Sequence, residues 1–525
     1  MGFTNTVSDF KIDTNTEFLD KAEKFKPNII KKDIYPVREI KIIEENGEWK
    51  VKDIGNVKET EKYELGKNSS ICYDFGDHYV GYIDFDATYS ENPPDAPLHI
   101  QVKLGEKPFE IGENSEAYNG VLGSGWIQEE CLHIDDLPAH IEFPRRYAFR
   151  YMQIKVIDTS VSYKVNISNV RCKSVTSADM SVVADLKIKD GELRAIDRVS
   201  VKTMQECMQD VFEDGPKRDR RLWVGDLRLQ ALVNYETFKN YDLVKRCLYL
   251  VAGLTQGNGR LAACIYAKKH SLPSEVNLFD YSLLYISCLY DYYMQTNDDE
   301  TLTELFPTVK RQVELASQRL DERRIIRDSD DWWCFIDWND DLNKQASAQA
   351  IFICCTKQYV ELAKIVGAET EAAEQLVKKA AEASLKYLWD NERGFFISGE
   401  ERQISWASQI WFVLSGILNR EENAALMKRL IKENPQIGIK TPYAYHYFIQ
   451  ALFDCGMEEC AVKYIKQYWG EMIADGADCF YEIFNPENKN YSPYGSMVIN
   501  SYCHSWSGTP AYFIRKYLDN GLDEK

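Results

Sequence analysis

SADMSVVADLKIKDGELRAIDRV, residues 177–199, is where the chain changes its period. Upstream, the segments ICYDFGDHYVGYIDFDATY (71–89), LHIQVKLGE (98–106), HIEFPRRYAFRYMQIKVI (140–157) and YKVNISNV (163–170) alternate β-branched and aromatic residues with polar ones. Gly, Pro, Asn and Asp bound these segments, which is the pattern of half-buried strands. Downstream, apolar residues recur at i, i+3, i+4 and i+7 almost to the C-terminus, the period of helices with one buried face. The change of period divides the chain into residues 1–185, an antiparallel β-sandwich domain with an irregular N-terminal arm, and residues 186–525, a helical domain.

The helical pattern predicts about twelve segments, at 190–210, 226–239, 242–255, 278–296, 299–320, 343–366, 370–388, 402–418, 421–434, 441–454, 457–473 and 495–518. Tight turns such as NYDLVK near 240 and NREENA near 420 alternate with longer irregular connections. Six helical hairpins closed into a double-layered (α/α)6 barrel fit that alternation. The helices do not repeat one another in sequence, which favours a closed ring over an open solenoid. Chemistry is then expected among the long loops at one end.

At 525 residues the chain is too long for one ordinary core, so at least two domains are expected. A formal net charge of −19 excludes nucleic acid as the main partner, since phosphate binding needs a basic surface. No run of about 18 apolar residues and no leader pattern occur, so a membrane partner is not expected and the chain reads as cytoplasmic. The 14 Cys are scattered without any C-x-x-C pair and read as reduced thiols. With seven His and no H-E-x-x-H spacing, no metal centre is expected, nor any cofactor, because P-loop, G-x-G-x-x-G and G-x-S-x-G patterns are missing.

Three segments carry chemistry. FEDGPKRDRRLWVGDLRLQ (212–230) packs Asp214, Arg218, Asp219, Arg220, Arg221, Trp223 and Asp226 into one irregular stretch. A solvated connector with Asp226 as a helix N-cap explains such a stretch too. Trp223 amid alternating acids and Arg instead suits a sugar site, where carboxylates move protons, Arg fixes hydroxyls and an aromatic face meets C–H surface. DSDDWWCFIDWNDDLN (328–343) repeats the mixture with Asp337 and Trp338, and nine of the 11 Trp lie in the helical part. In GADCFYEIFNPENKNYSPYGS (476–496), Glu482 sits in an apolar run, either buried with a perturbed pKa or facing solvent from a short strand. His504 follows, as a structural or hydroxyl-binding His.

DGPKRDRRLWVGD (214–226) resembles the signature of glycoside hydrolase family 78, the bacterial and fungal α-L-rhamnosidases. The resemblance extends to YDFGDHYVGYIDF, VKLGE, FDYSLLYI, FIDWND, KTPYAYHYFIQALFDCG and NSYCHSWSGTPAYF, and so spans nearly the whole chain. It implies an inverting exo-glycosidase that takes a terminal rhamnose from an oligosaccharide or glycoside, with Asp219 as general acid and Glu482 as general base. It implies further that Asp214, Arg218, Trp223, Asp226 and His504 hold the sugar, joined by Asp337, Trp338 and Asp280. The family acid is typically Glu, so Asp219 stands one methylene short. Many members also carry a C-terminal β-domain, so this chain is expected to be a compact member. A hydrolase or lyase for another terminal deoxy or acidic sugar, and a catalytically silent carbohydrate-binding protein, are the competing readings. The sequence leaves room for a homo-oligomer.

Overall fold

The structure is a computed structural model that describes residues 11–57, 63–267, 270–329 and 332–519. It has a β-rich N-terminal part and a helical C-terminal part, divided where the period changes. The β-rich part is built on one 22-residue strand, Ser70–Glu91. Its first half pairs antiparallel with Tyr147–Asp158 and its second half with Tyr163–Thr176, within a network of ten strands. Alternation places Phe75, Phe85, Phe149, Ile154 and Tyr163 in one apolar core, where each large side chain contributes about 1.5–3 kcal/mol by leaving water.

The N-terminal arm, expected to be irregular, is ordered wherever it is described; residues 1–10 lie outside the described residues. Ile12–Thr14 pairs antiparallel with Leu254–Gln256, and helix α1 (Thr16–Lys24) follows, capped by Asn15 Oδ1 accepting from Phe18 N at 3.1 Å. The arm is held by tertiary contacts, including the Phe18 ring against Tyr249 at 5.5 Å. A single-turn helix α2 (Pro108–Gly112) lies in the β-rich part.

The helical part comprises α3 (Gly191–Cys207), α4 (Val224–Glu236), α5 (Tyr241–Gly253), α6 (Phe279–Thr296), α7 (Asp299–Ser317), α8 (Gln345–Ile365), α9 (Glu371–Tyr387), α10 (Trp406–Ser415), α11 (Arg420–Glu433), α12 (Pro442–Asp454), α13 (Glu458–Ala474) and the short α14 (Pro510–Phe513). Helices α4, α6, α8, α10 and α12 pack each on the next, and α14 packs on α3 and α4. These central helices are apolar on most sides, as in α4, where eleven of 13 residues are buried. The intervening helices keep one wet face: α9 fully buries only Ala380, Ala383 and Ser384. Tight turns at 237–240, 297–298, 366–370, 416–419 and 455–457 alternate with longer connections, described at 208–223, 254–267 with 270–278, 318–329 with 332–344, 388–405, 434–441 and 475–509. Among the described residues, no helix is long and apolar enough to cross a membrane, and all 14 Cys are unbridged.

The last expected helix, 495–518, is a correction. Residues 496–509 run irregularly with two 3-10 turns, and regular helix begins only at Pro510. Their backbone groups are engaged elsewhere: Ser501 O accepts from Glu482 N at 3.0 Å, His504 N donates to Phe480 O at 2.9 Å and Ser505 N to Asp214 O at 2.7 Å. A backbone committed to neighbouring loops cannot also make i→i−4 bonds.

Candidate active site

Three long loops meet where α4 begins. The first folds around Asp214, whose Oδ2 accepts from Asp219 N and Oδ1 from Arg221 N, both at 3.0 Å. Its backbone N donates to Arg221 O at 3.0 Å, so one side chain and one peptide close the whole turn. Gly215 is required there, since a Cβ would come within 2.3 Å of Arg218 O. The buried Lys217 Nζ ties the turn to Glu110 of the β-rich part and donates to Val498 O at 3.0 Å and Asn500 O at 2.9 Å.

Arg218 links the first loop to the third. Its Nε donates to Ile499 O at 2.9 Å, its Nη2 to Glu482 Oε2, and its Nη1 lies 3.5 Å from Asp219 Oδ1. Asp219 is also 3.8 Å from Arg221 Nη1, and with 20% of its side chain exposed it is the most accessible carboxylate of the group. Glu482 is buried, and Tyr494 Oη donates to its Oε1 at 2.6 Å. The Tyr494 ring in turn lies under the Arg218 guanidinium at 4.3 Å. The solvent-facing alternative for Glu482 is thereby excluded. Burial raises its pKa, while Arg218 and the Tyr494 hydroxyl act in the opposite direction and favour the charge.

Asp226 is not an N-cap. Helix α4 starts from Trp223 without a side-chain cap, and Asp226 points inward from its first turn. Its Oδ1 has no hydrogen-bond partner among the described residues and lies 3.8 Å from His504 Nδ1. The other ring nitrogen of His504 is 3.8 Å from Asp214 Oδ2. Burial, then the Asp214 charge, pushes Asp226 well above the carboxylate range. Burial and the neighbouring Asp219 push Asp214 up to about 8. Burial and Arg218 push His504 well below the usual imidazole value, so it is neutral. A buried neutral His between two carboxyl groups that favour their protons, with Asp226 Oδ1, His504 Nδ1 and Ser505 Oγ unpaired, is a polar cluster short of partners. Ligand hydroxyls, which both donate and accept, fit it.

Aromatic rings wall the cluster. Trp506 lies 4.2 Å from the His504 ring and 5.7 Å from Phe335 in a near-parallel stack, and its Nε1 donates to Glu482 O at 2.9 Å. Trp338 meets Tyr494 edge-on at 6.3 Å, and its buried Nε1 has no partner among the described residues. Trp223, half-buried, meets Tyr281 edge-on at 6.3 Å.

Two expected sugar ligands stand apart from this group. Asp280 accepts from Phe335 N at 3.0 Å and Ile336 N at 2.9 Å. Asp337 accepts from Lys440 N at 2.7 Å, Thr441 N at 3.0 Å and Thr441 Oγ1 at 2.6 Å. Both carboxylates brace the loops that carry the aromatic wall. The structure thus gathers Asp214, Arg218, Asp219, Asp226, Glu482 and His504, sets Trp338 against Tyr494 and Trp223 against Tyr281, and turns Asp280 and Asp337 to loop backbone. Tyr494 and Trp506 were not singled out from the sequence. The turn residues around Tyr494, in Ser492-Pro493-Tyr494-Gly495, were the only local signal that this ring is held in place.

Residues 36–174 match the glycosyl hydrolase family 78 alpha-rhamnosidase N-terminal domain, and residues 183–518 the bacterial alpha-L-rhamnosidase six-hairpin glycosidase domain. The chain is similar to the solved structure of a rhamnosidase from Klebsiella oxytoca with rhamnose bound, at 43% identity over 97% of this chain and 99% of that one, with a TM-score of 0.94. It also resembles a family 78 rhamnosidase of Bacillus sp. GL1 at 22% identity, over 86% of this chain and 47% of that one, with a TM-score of 0.72; that likeness is one of fold. No curated protein matches the chain.

Proposed function

The chain belongs to glycoside hydrolase family 78, and on that premise we propose that it hydrolyses terminal α-L-rhamnosides with inversion at the anomeric carbon. Asp219 protonates the glycosidic oxygen and Glu482 activates the attacking water. The observation that carries this reading is Arg218, which pairs with Glu482 through one terminal nitrogen and approaches Asp219 through the other. One guanidinium thus brings the two carboxylates into one site, where an inverting mechanism needs roughly 6.5–9.5 Å between them to leave room for a water.

The two residues differ in surroundings. Glu482 is enclosed and takes two hydrogen bonds that favour its charge, as a base requires. Asp219, beside Arg218 and Arg221, is the carboxylate open to solvent. In the sugar subsite, Asp214, Arg218, Asp226 and His504 take the hydroxyls and Trp223 and Trp338 face the ring. Asp280 and Asp337 act as positioning residues that hold the aromatic wall.

The alternating loop lengths and the sequence of helix neighbours support reading the helical part as an (α/α)6 barrel of 186–525, preceded by a β-sandwich domain within 1–185. Fourteen unbridged thiols suit a reducing compartment, and we place the enzyme in the cytoplasm. The test is release of free rhamnose from p-nitrophenyl α-L-rhamnoside and from natural rhamnosides. Turnover of other nitrophenyl glycosides with none of the rhamnoside would overturn the substrate assignment.

A further inference from the structure

Behind the sugar site, one cluster joins segments that lie far apart in sequence. His78 is in the strand Ser70–Glu91, Cys207 ends α3, and Cys479 and Cys503 belong to the loop between α13 and α14; all four are buried. One ring nitrogen of His78 and the sulfurs of Cys479 and Cys503 lie within 4.8 Å of one another. Cys207 Sγ is 4.0 Å from Cys503 Sγ.

The imidazole is oriented. Its Nε2 lies 3.0 Å from Oε1 of the buried Glu106, whose Oε2 accepts from Tyr502 N at 2.8 Å. A carboxylate there holds the proton on Nε2, and Nδ1 has no hydrogen-bond partner among the described residues. A carboxylate behind an imidazole is how metal-ligating His side chains are held and made more basic. Glu206 Oε2 is 3.8 Å from Nδ1, but it belongs to a carboxylate already bonded to Lys202 Nζ at 2.5 Å.

We propose that His78, Cys479 and Cys503, with Cys207 as the fourth ligand, bind a thiolate-preferring divalent cation of the Zn2+ class. One imidazole and three thiolates form a closed structural set for zinc, and sulfur ligands exclude Mg2+ and Ca2+. Tetrahedral ligands at zinc sit about 3.5–3.8 Å apart, so His78, Cys479 and Cys503 need shifts of about 1 Å to close on the ion, and Cys207 moves in beside Cys503 as the fourth ligand. On binding, three S–H bonds break and three Zn–S bonds and one Zn–N bond form; the three protons go to solvent. Without a cation, burial keeps the thiols protonated, pushing Cys479 and Cys503 well above the usual range. The ion ties the β-rich part to the loop that carries Glu482 and His504; in the ion-free form Cys207 Sγ donates to Asp214 O at 3.7 Å, a bond given up when the thiol loses its proton to bind the cation. Because the ligands are sealed, the ion enters while the two parts assemble and afterwards exchanges slowly. The sequence offered no metal signal because the four ligands come from three segments and no two share a metal-binding spacing.

The test uses the full chain produced in zinc-supplemented medium, washed with chelator and measured by elemental mass spectrometry. The expected result is about one zinc per chain, replaced in cobalt-grown protein by Co2+ with a thiolate charge-transfer band. Cys479→Ala loses the ion. Glu106→Gln, which keeps an acceptor for Tyr502 N, lowers affinity by about 10–100-fold in chelator competition. Less than roughly a tenth of an ion per wild-type chain would overturn the proposal, as would a Cys479–Cys503 disulfide in the native protein. Equal zinc retention by wild type and Glu106→Gln counts against it in the same way, and decides the matter if Cys479→Ala does not fold.

Discussion

Replacing Tyr494 by Phe removes one atom from the site and leaves its packing in place. The ring stays under the Arg218 guanidinium and against Trp338, while the hydroxyl that donates to Glu482 Oε1 at 2.6 Å is gone. A hydrogen bond to a charged group contributes about 1.5–3 kcal/mol, and each pKa unit corresponds to about 1.4 kcal/mol. Arg218 still pairs with the other oxygen, so the lower end of that range applies and the Glu482 pKa should rise by about one unit. The sign follows from the role. The base must be ionised, activity falls as pH drops through its pKa, and a raised pKa moves the acidic limb of kcat/KM to higher pH. The assay is the pH profile of kcat/KM on p-nitrophenyl α-L-rhamnoside for wild type and variant. An acidic limb that does not move, with activity lowered equally at every pH, would refute the link between the Tyr494 hydroxyl and the charge of the base.

Glu482→Gln should lower kcat by about 10²–10⁴-fold with rhamnose affinity nearly unchanged, measured by steady-state kinetics and calorimetry; retention of most of the turnover would remove Glu482 from the base role. Asp219→Asn should lose far more on alkyl rhamnosides than on nitrophenyl ones, because an activated leaving group needs little protonation; equal losses argue against an acid there. Asp214→Asn tests the buried carboxyl. With a folded pKa of about 8 against about 3.9 unfolded, the folded state holds its proton more tightly, so Asp214 costs stability increasingly as pH rises from 4 to 8. Thermal melts should therefore show the Asn variant gaining on wild type across that window, and a gap independent of pH would contradict the shift.

The two-part plan was legible because a change of period is a property of side-chain order alone. The cluster at 214–226 was legible for a similar reason: acids, Arg and Trp crowded into a loop are costly unless something uses them. What the sequence does not display depends on partners from distant segments. Asp337 sits beside Trp338 in sequence, while its oxygens accept from Lys440 and Thr441 N–H groups about a hundred residues away. Tyr494 became part of the site only because the 475–509 loop turns back on Glu482, and the helix expected across 495–518 gave way to that same loop. The arm at 12–24 carries too few apolar residues to announce a surface that α5 supplies.

The stereochemistry of the first product tests the pairing of Asp219 with Glu482 most directly. Proton NMR of the early reaction with an α-L-rhamnoside should show β-L-rhamnose forming first and then mutarotating, because water enters from the face opposite the leaving group. Initial formation of α-L-rhamnose would mean a covalent intermediate and would contradict the assignment of Glu482 as a base acting through water.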